Sequence, residues 1–254
     1  MSETDTVADK EIGETDGDLV LEADDVSHSY GDVEVLDSIS VSLRAGEVTG
    51  LLGSNGSGKT TFLRILAGLL TPDSGEIRIE EGETARTVGY LPQTPSFRSG
   101  FTVAETLRFY AHLLDAEVSD DYVDDALEAV GLLDARDRPV SGLSGGMTRL
   151  LGIAQAKVGD PPILMLDEPT SGLDPEMTGR IFDVLRELAE EGTAVLLTTH
   201  DLEKVGRTAD GIVLIHDRTV AESGTPQEVV ERRGAENLSD VFDAVVADME
   251  GSRG

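Results

Sequence analysis

The chain has no cysteine, which removes disulfides and thiolate metal sites from consideration. Lysine is almost as scarce: of twenty cationic residues only Lys10, Lys59, Lys157 and Lys204 are lysines. Long apolar runs are missing as well. None approaches the roughly 18–20 residues that span a bilayer, and the longest, such as Pro161 to Leu166, have the length of buried strands. The first residues are acidic and polar, with no apolar segment behind a basic start, so no secretory signal is read there. The expectation is a cytoplasmic protein, with any membrane passage made by another chain.

Carboxylates are what the chain has in excess. Fifty acidic residues against twenty cations give a formal net charge of -30 over 254 residues. Such a charge argues against nucleic-acid or anionic-lipid partners. An acid-rich, lysine-poor, cysteine-free composition resembles that of proteins from salt-accumulating halophiles. Screening over about 3 Å at 1 M salt would relieve the repulsion among so many carboxylates. An ordinary acidic protein is the alternative reading. Hydrophobic residues make up 39% of the chain, enough for one large domain with a subdomain.

Residues 1–18 carry many carboxylates and no apolar period, and read as a disordered acidic tail. Short alternating stretches follow, Leu19 to Val26 and Leu36 to Leu43, and predict a small antiparallel sheet. Val48 to Leu52 reads as a buried strand, and Lys59 to Leu69 as a helix. From about residue 97 to 158 the pattern turns all-helical. Thr102-Val103-Ala104-Glu105 is a capping box, a second helix runs from about Asp120 to Val130, and a third follows Ser144-Gly145-Gly146. Strands resume at Ile163 to Leu166 and Thr193 to Thr198, with a helix from Pro175 to before Gly192 between them, capped by Asp174. Strand–helix alternation of this kind predicts an α/β fold with a mostly parallel sheet. The main domain is expected over residues 19–247, with a flexible tail at 248–254.

Gly53-Ser54-Asn55-Gly56-Ser57-Gly58-Lys59-Thr60 fits the phosphate-loop pattern between a strand and a helix. Gly56 and Gly58 let backbone N–H groups approach phosphates without a Cβ clash. The helix start near Gly58 turns its positive dipole end toward the anion. Lys59 reaches the β- and γ-phosphates, Thr60 offers a hydroxyl to Mg²⁺, and Thr61 adds a phosphate contact. The bland alternative is a glycine-rich turn that happens to hold a lysine. The loop alone identifies nucleotide binding; a kinase, a GTPase or a transporter subunit would each carry it. Ile163 to Leu166 is followed by Asp167-Glu168, acids at the carboxyl edge of a buried strand, where ligands bind in open α/β sheets. Asp167 is placed to hold Mg²⁺, and Glu168 to act as general base on an attacking water. An acidic pair capping a surface turn is the structural alternative.

Leu143-Ser144-Gly145-Gly146, opening a helix about twenty residues before that acidic strand end, resembles the signature motif of the ABC transporter nucleotide-binding domain, and the resemblance extends over about residues 19–247. It implies a P-loop NTPase (RecA-like) core with an antiparallel β subdomain and an all-helical insertion. It also implies that Ser144, Gly145 and Gly146 contact the γ-phosphate of ATP held by a second subunit. Tyr30 resembles the aromatic residue that stacks on adenine, and Gln93 the Q-loop glutamine that contacts Mg²⁺ or water. Ser171-Gly172-Leu173-Asp174 resembles the D-loop at the dimer interface, and His200 the switch histidine. His28, His112 and His216 are read as structural. Met147 stands where the family more often has glutamine, which leaves the signature contact less polar.

The function implied is an ATP-hydrolysing subunit energising a separate transmembrane permease, working as a homodimer or with a paralogous cassette on the inner face of the membrane. ATP and Mg²⁺ are the implied ligands. Phe97 to Phe101 is the candidate docking surface for the permease. Leu238-Ser239-Asp240-Val241-Phe242 resembles a segment that ends many exporter-type subunits, and with Met147 points to the ABC-2 class. Two alternatives stand beside this. One is a soluble ABC ATPase acting on nucleic acid or ribosomes, disfavoured by the charge and by the absence of a long coiled coil or a tandem cassette. The other is a subunit that does not hydrolyse ATP, disfavoured by Glu168 and His200.

Overall fold

A computed structural model describes residues 18–80, 84–114 and 119–252. The acidic tail expected at 1–18 lies outside the described residues apart from Asp18. Two strands open the fold, β1 (Leu19–Tyr30) and β2 (Val33–Arg44), paired antiparallel. Each buries one face: Leu21, Ala23 and Val26 from β1, and Leu36, Ile39, Val41 and Leu43 from β2. The period of two is the reason this region is a sheet. β3 (Val48–Gly53) is buried at every position and leads through the glycine-rich loop into α1 (Lys59–Leu66). The helix stops short of the expected Leu69. Gly68, at φ 69°, turns the chain out of the right-handed helix and leaves Leu69 exposed.

β4 (Ser74–Ile79) adds to the outer edge of β1, and β5 (Val88–Leu91) is the first strand of the main sheet after it. Neither is evident in the sequence pattern. β4 carries only two half-buried apolar residues, Ile77 and Ile79, and β5 has four residues with a glycine among them. The helical stretch then appears as α2 (Val103–His112), α3 (Asp120–Ala129) and α4 (Gly145–Lys157), with two 3-10 turns between the last pair. The capping box forms: Glu105 N donates to Thr102 Oγ1 at 3.2 Å, and Thr102 N donates to Glu105 Oε2 at 2.8 Å.

β6 (Ile163–Asp167), α5 (Pro175–Glu190) and β7 (Ala194–Thr198) fall close to where strand and helix periods place them. Beyond them come α6 (Leu202–Thr208), β8 (Gly211–His216), β9 (Thr219–Gly224), α7 (Pro226–Arg233) and α8 (Leu238–Ser252). The backbone of α8 thus stays helical past residue 247, where the sequence reading begins a tail.

Six strands form the main sheet in the order β5-β6-β7-β3-β8-β9. All pairings are parallel except β8 with β9. The sheet separates two cores. Leu164, Leu166, Val195 and Leu197 face the core shared with α2 to α5, whereas Ile163, Met165, Ala194 and Leu196 face α1 and the antiparallel sheet. Burying both faces explains the unbroken apolar runs of β6 and β7. The strand order sets β3, β7 and β6 side by side, so the residues that follow their carboxyl ends converge.

Candidate active site

The loop after β3 depends on glycine at two positions. A Cβ on Gly53 would run into the Ile215 carbonyl and lie 2.6 Å from Ser57 Oγ; one on Gly58 would lie 2.6 Å from Leu36 Cδ2 and 2.8 Å from the Val35 carbonyl. Gly58 caps α1 at φ 97°, a conformation that disfavours side chains. The loop therefore curls tightly against β8 and β2 and borders a cavity of about 250 Å³. Asn55, Gly56, Ser57, Gly58, Lys59, Thr60 and Thr61 line it together with Gln93, Asp167, Glu168 and His200.

Lys59 is buried and donates to the carbonyls of Gly53 at 2.7 Å and Ser54 at 2.9 Å. Burial lowers its pKa, while Glu168 and Asp167 pull the other way and favour the ammonium form. Asp167 is only 2% exposed. Its Oδ1 accepts from Thr60 Oγ1 at 3.1 Å and from Thr198 Oγ1 at 2.8 Å. The same Thr198 oxygen accepts from Glu168 N at 2.8 Å. One hydroxyl thus ties the two consecutive acids to the neighbouring strand. Thr198 escapes a sequence reading because a threonine ending a buried strand resembles any other strand residue. The available signal is that a buried carboxylate needs a donor from the adjacent strand.

Glu168 sits at φ 49°, a left-handed conformation that glutamate rarely adopts. Strain of this kind costs about 1–3 kcal/mol and concentrates at functional sites. The turn aims the carboxylate at His200: Oε1 lies 2.9 Å from His200 Nε2, within ion-pair distance but off the line of a hydrogen bond. Glu168 is 7% exposed, and burial raises its pKa against the opposing pull of His200 and Lys59. A buried carboxyl with a raised pKa is suited to accept a proton.

The remaining motif residues lie elsewhere. Tyr30 is half-exposed at the end of β1, edge-on to His28 with ring centroids 4.9 Å apart, and does not line the cavity. Ser144 and Gly145 are exposed at the start of α4. Ser144 caps that helix, its Oγ accepting from Met147 N at 3.2 Å. Ser171, Gly172 and Asp174 are exposed, and Asp174 Oδ1 caps α5 by accepting from Met177 N at 3.0 Å. The two exposed segments abut: a Cβ on Gly146 would lie 2.5 Å from Met177 Cγ, and one on Gly145 would lie 3.8 Å from Leu173 Cδ2. The cavity after the phosphate loop and the exposed glycine-rich face are thus separate parts of the chain.

Near the start of α2, Phe101 and Phe109 stand 5.8 Å apart with the Arg98 guanidinium over both rings, at 5.3 and 5.0 Å, and Tyr110 completes the cluster. Aromatic residues are only 4% of the chain, so this concentration at a half-buried surface is distinctive.

A family model described as ABC transporter matches residues 36–171, a span from β2 through the phosphate loop, Ser144 and the two acids. The chain belongs to the ABC transporter family. The Nod factor export ATP-binding protein I of Ralstonia nicotianae is 38% identical over 221 residues, covering 83% of the chain and 68% of the relative. Among solved structures, an ATP-binding subunit of an ABC transporter superposes with a TM-score of 0.77 at 27% identity, covering 89% of the chain and 99% of that subunit. A dimeric ABC transporter cassette superposes with a TM-score of 0.70 at 25% identity, covering 80% and 97%. The cassette therefore has the P-loop NTPase fold of its neighbours. It is an ATP-binding, ATP-hydrolysing transporter subunit that works with a membrane permease. Among the described residues no helix is long and apolar enough to cross a membrane.

Proposed function

We propose that the cassette hydrolyses ATP at two sites shared head-to-tail by a pair of subunits, and that closing and opening of the pair drives export through the permease. The observation that carries this reading is the separation of parts. Lys59, Thr60, Gln93, Asp167, Glu168 and His200 share one cavity, whereas Ser144 and Gly145 lie exposed outside it. Within one chain the signature residues have no phosphate to meet. A second copy, identical or paralogous, supplies it, and the dimeric neighbour supports that arrangement.

In this reading the loop N–H groups and Lys59 hold the β- and γ-phosphates, and Tyr30 stacks on the base. Ser144, Gly145 and Gly146 contact the γ-phosphate from across the dimer, and Ser171 to Asp174 line the interface. The cavity also fits a hard cation: Thr60 Oγ1 and Asp167 Oδ1 lie 3.1 Å apart, and Gln93 lines the same cavity. Mg²⁺ held by few protein oxygens and the phosphates is the usual pattern, and it would neutralise charge on the transferring group. Glu168 takes the proton of the attacking water, and His200 orients its carboxylate and the γ-phosphate. Loss of the γ-phosphate removes charge-assisted hydrogen bonds of about 1.5–3 kcal/mol each, and the pair opens.

The Phe101–Phe109–Tyr110 cluster is the proposed permease dock. Export is supported by the name of the Ralstonia relative; an ABC-2 partner is our reading of Met147 and of Leu238 to Phe242, where Leu238 and Val241 seat α8 in the core. The subunit would then sit at the inner face of the membrane. The net charge of -30 supports a high-salt interior; a melting temperature that falls as salt is raised would contradict it. The shared-site reading is tested by gel filtration with ATP. Glu168→Gln should convert from monomer to an ATP-dependent dimer without turnover. A chain that stays monomeric at saturating ATP would overturn it.

A further inference from the structure

The helix that begins with the signature residues is tied along its length to the segment carrying Gln93. Arg149, on the second turn of α4, donates from its guanidinium to the Gln93 carbonyl. One turn on, Gly152 lets the helix press on that same segment: a Cβ there would collide with Leu91 Cδ1 and lie 3.5 Å from Pro95 Cβ. At the far end of α4, a Cβ on Gly89 would collide with the Ala156 carbonyl, and Arg86 donates to the carbonyls of Gln155, at 2.9 Å, and Ala156. Positions 149, 152 and 156 share one face of a helix. That face forms a seam in which Gly152 admits the Leu91 and Pro95 side chains, Gly89 admits the helix backbone at Ala156, and an arginine closes each end. Arg149 is also close enough to Glu168 and Asp167 for both carboxylates to favour its charged form against the opposing effect of burial.

We infer that Arg149 is a positioning residue that makes Gln93 and Ser144 move together, so that nucleotide in a subunit's own cavity sets the signature face offered to the partner's nucleotide. The inference rests on the shared-site reading above. Gln93 lines the chain's own cavity and Ser144 serves the other one, and Arg149 is one and a half turns from the helix cap. The guanidinium fork suits the task, because it holds a carbonyl in a fixed direction, which a methionine of similar length cannot do. The Leu91 and Pro95 side chains pack directly on the helix at Gly152, and close packing of this kind transmits displacement.

The test uses the full chain in the Glu168→Gln background, comparing Arg149→Met, Arg149→Lys and Gly152→Ala. ATP binding to the monomer is measured by calorimetry, and ATP-driven dimerisation by sedimentation. Arg149→Met should bind ATP within about twofold of its parent yet dimerise about tenfold less readily, the loss expected for one charge-assisted hydrogen bond. The same change in the active chain should lower the Hill coefficient for ATP toward one. Arg149→Lys should recover part of both effects, and Gly152→Ala should reproduce the loss from the other side of the seam. Dimerisation of Arg149→Met equal to that of its parent, with an unchanged Hill coefficient, overturns the relay alone. A parent that fails to dimerise with ATP overturns the shared site and the relay with it.

Discussion

The cavity around Lys59 and the face around Ser144 are both glycine-rich helix starts, yet they are built differently. In the cavity the central charged groups are held by partners inside the chain, while Ser57 Oγ and Glu168 Oε1 stay without a hydrogen bond. Lys59 is held by two loop carbonyls, and Asp167 by Thr60 and Thr198. The signature face uses the Ser144 hydroxyl to cap α4 and leaves Ser144 and Gly145 open to solvent. The cavity is organised before any ligand arrives, and preorganised charge is what stabilises a transition state. The signature face is shaped to be covered. A single chain therefore holds most of one site and a small part of another.

Mutations that respect this division should separate binding from turnover. The largest effect is expected for Glu168→Gln, which should lower the rate of ATP hydrolysis by at least about 100-fold while ATP binding persists; phosphate-release kinetics check it. Lys59→Ala comes next. Loss of a charge-assisted contact should weaken ATP binding about 10- to 100-fold, measured by calorimetry on the monomer. Ser144→Arg should leave that monomer affinity unchanged and abolish the ATP-dependent dimer, at a stability cost of about 1 kcal/mol from the lost helix cap. Thr198→Val should be milder in turnover, but it leaves Asp167 Oδ1 and Glu168 N short of a partner and should destabilise the fold by about 1–3 kcal/mol in urea titrations.

The smallest effect is a pH signature. Glu168 has a raised pKa in the folded cassette, so its protonated form is favoured by folding. That contribution is full below the ordinary glutamate range and is lost as pH rises through the raised value. Glu168→Gln should accordingly be more stable than the wild type at neutral pH, and the gap should close on acidification. A gap that widens in acid would mean that His200 and Lys59, rather than burial, dominate the carboxylate.

Much of the cavity was legible in the sequence because its parts sit where local patterns are strongest. Gly53 to Thr60 is a contiguous motif, and Asp167 and Glu168 end an unbroken apolar run. β1 and β2 follow from their alternation, and β6 and β7 from short unbroken apolar runs. Other parts were hidden. β4 and β5 are short and only partly apolar, and the succession from α6 to α7 lacks long periodic stretches. Thr198 and Arg149 were missed for a shared reason. Each acts on a residue 30 or more positions away, Thr198 on Asp167 and Arg149 on Gln93, and only the strand order and the path of α4 bring them together. Tyr30, expected to stack on adenine, stands half-exposed at the end of β1, outside the phosphate cavity, and its role stays a proposal.

The central claim, that each site is completed by a second copy, is tested most directly by mixing two defective chains. Glu168→Gln keeps its signature face and its nucleotide but lacks the base. Ser144→Arg keeps the base but offers a spoiled face. Combined before ATP is added, they should form mixed pairs with one intact site, and ATP hydrolysis should rise well above the sum of the two variants alone. Hydrolysis no greater than that sum, in a mixture shown by sedimentation to contain mixed pairs, would contradict the account.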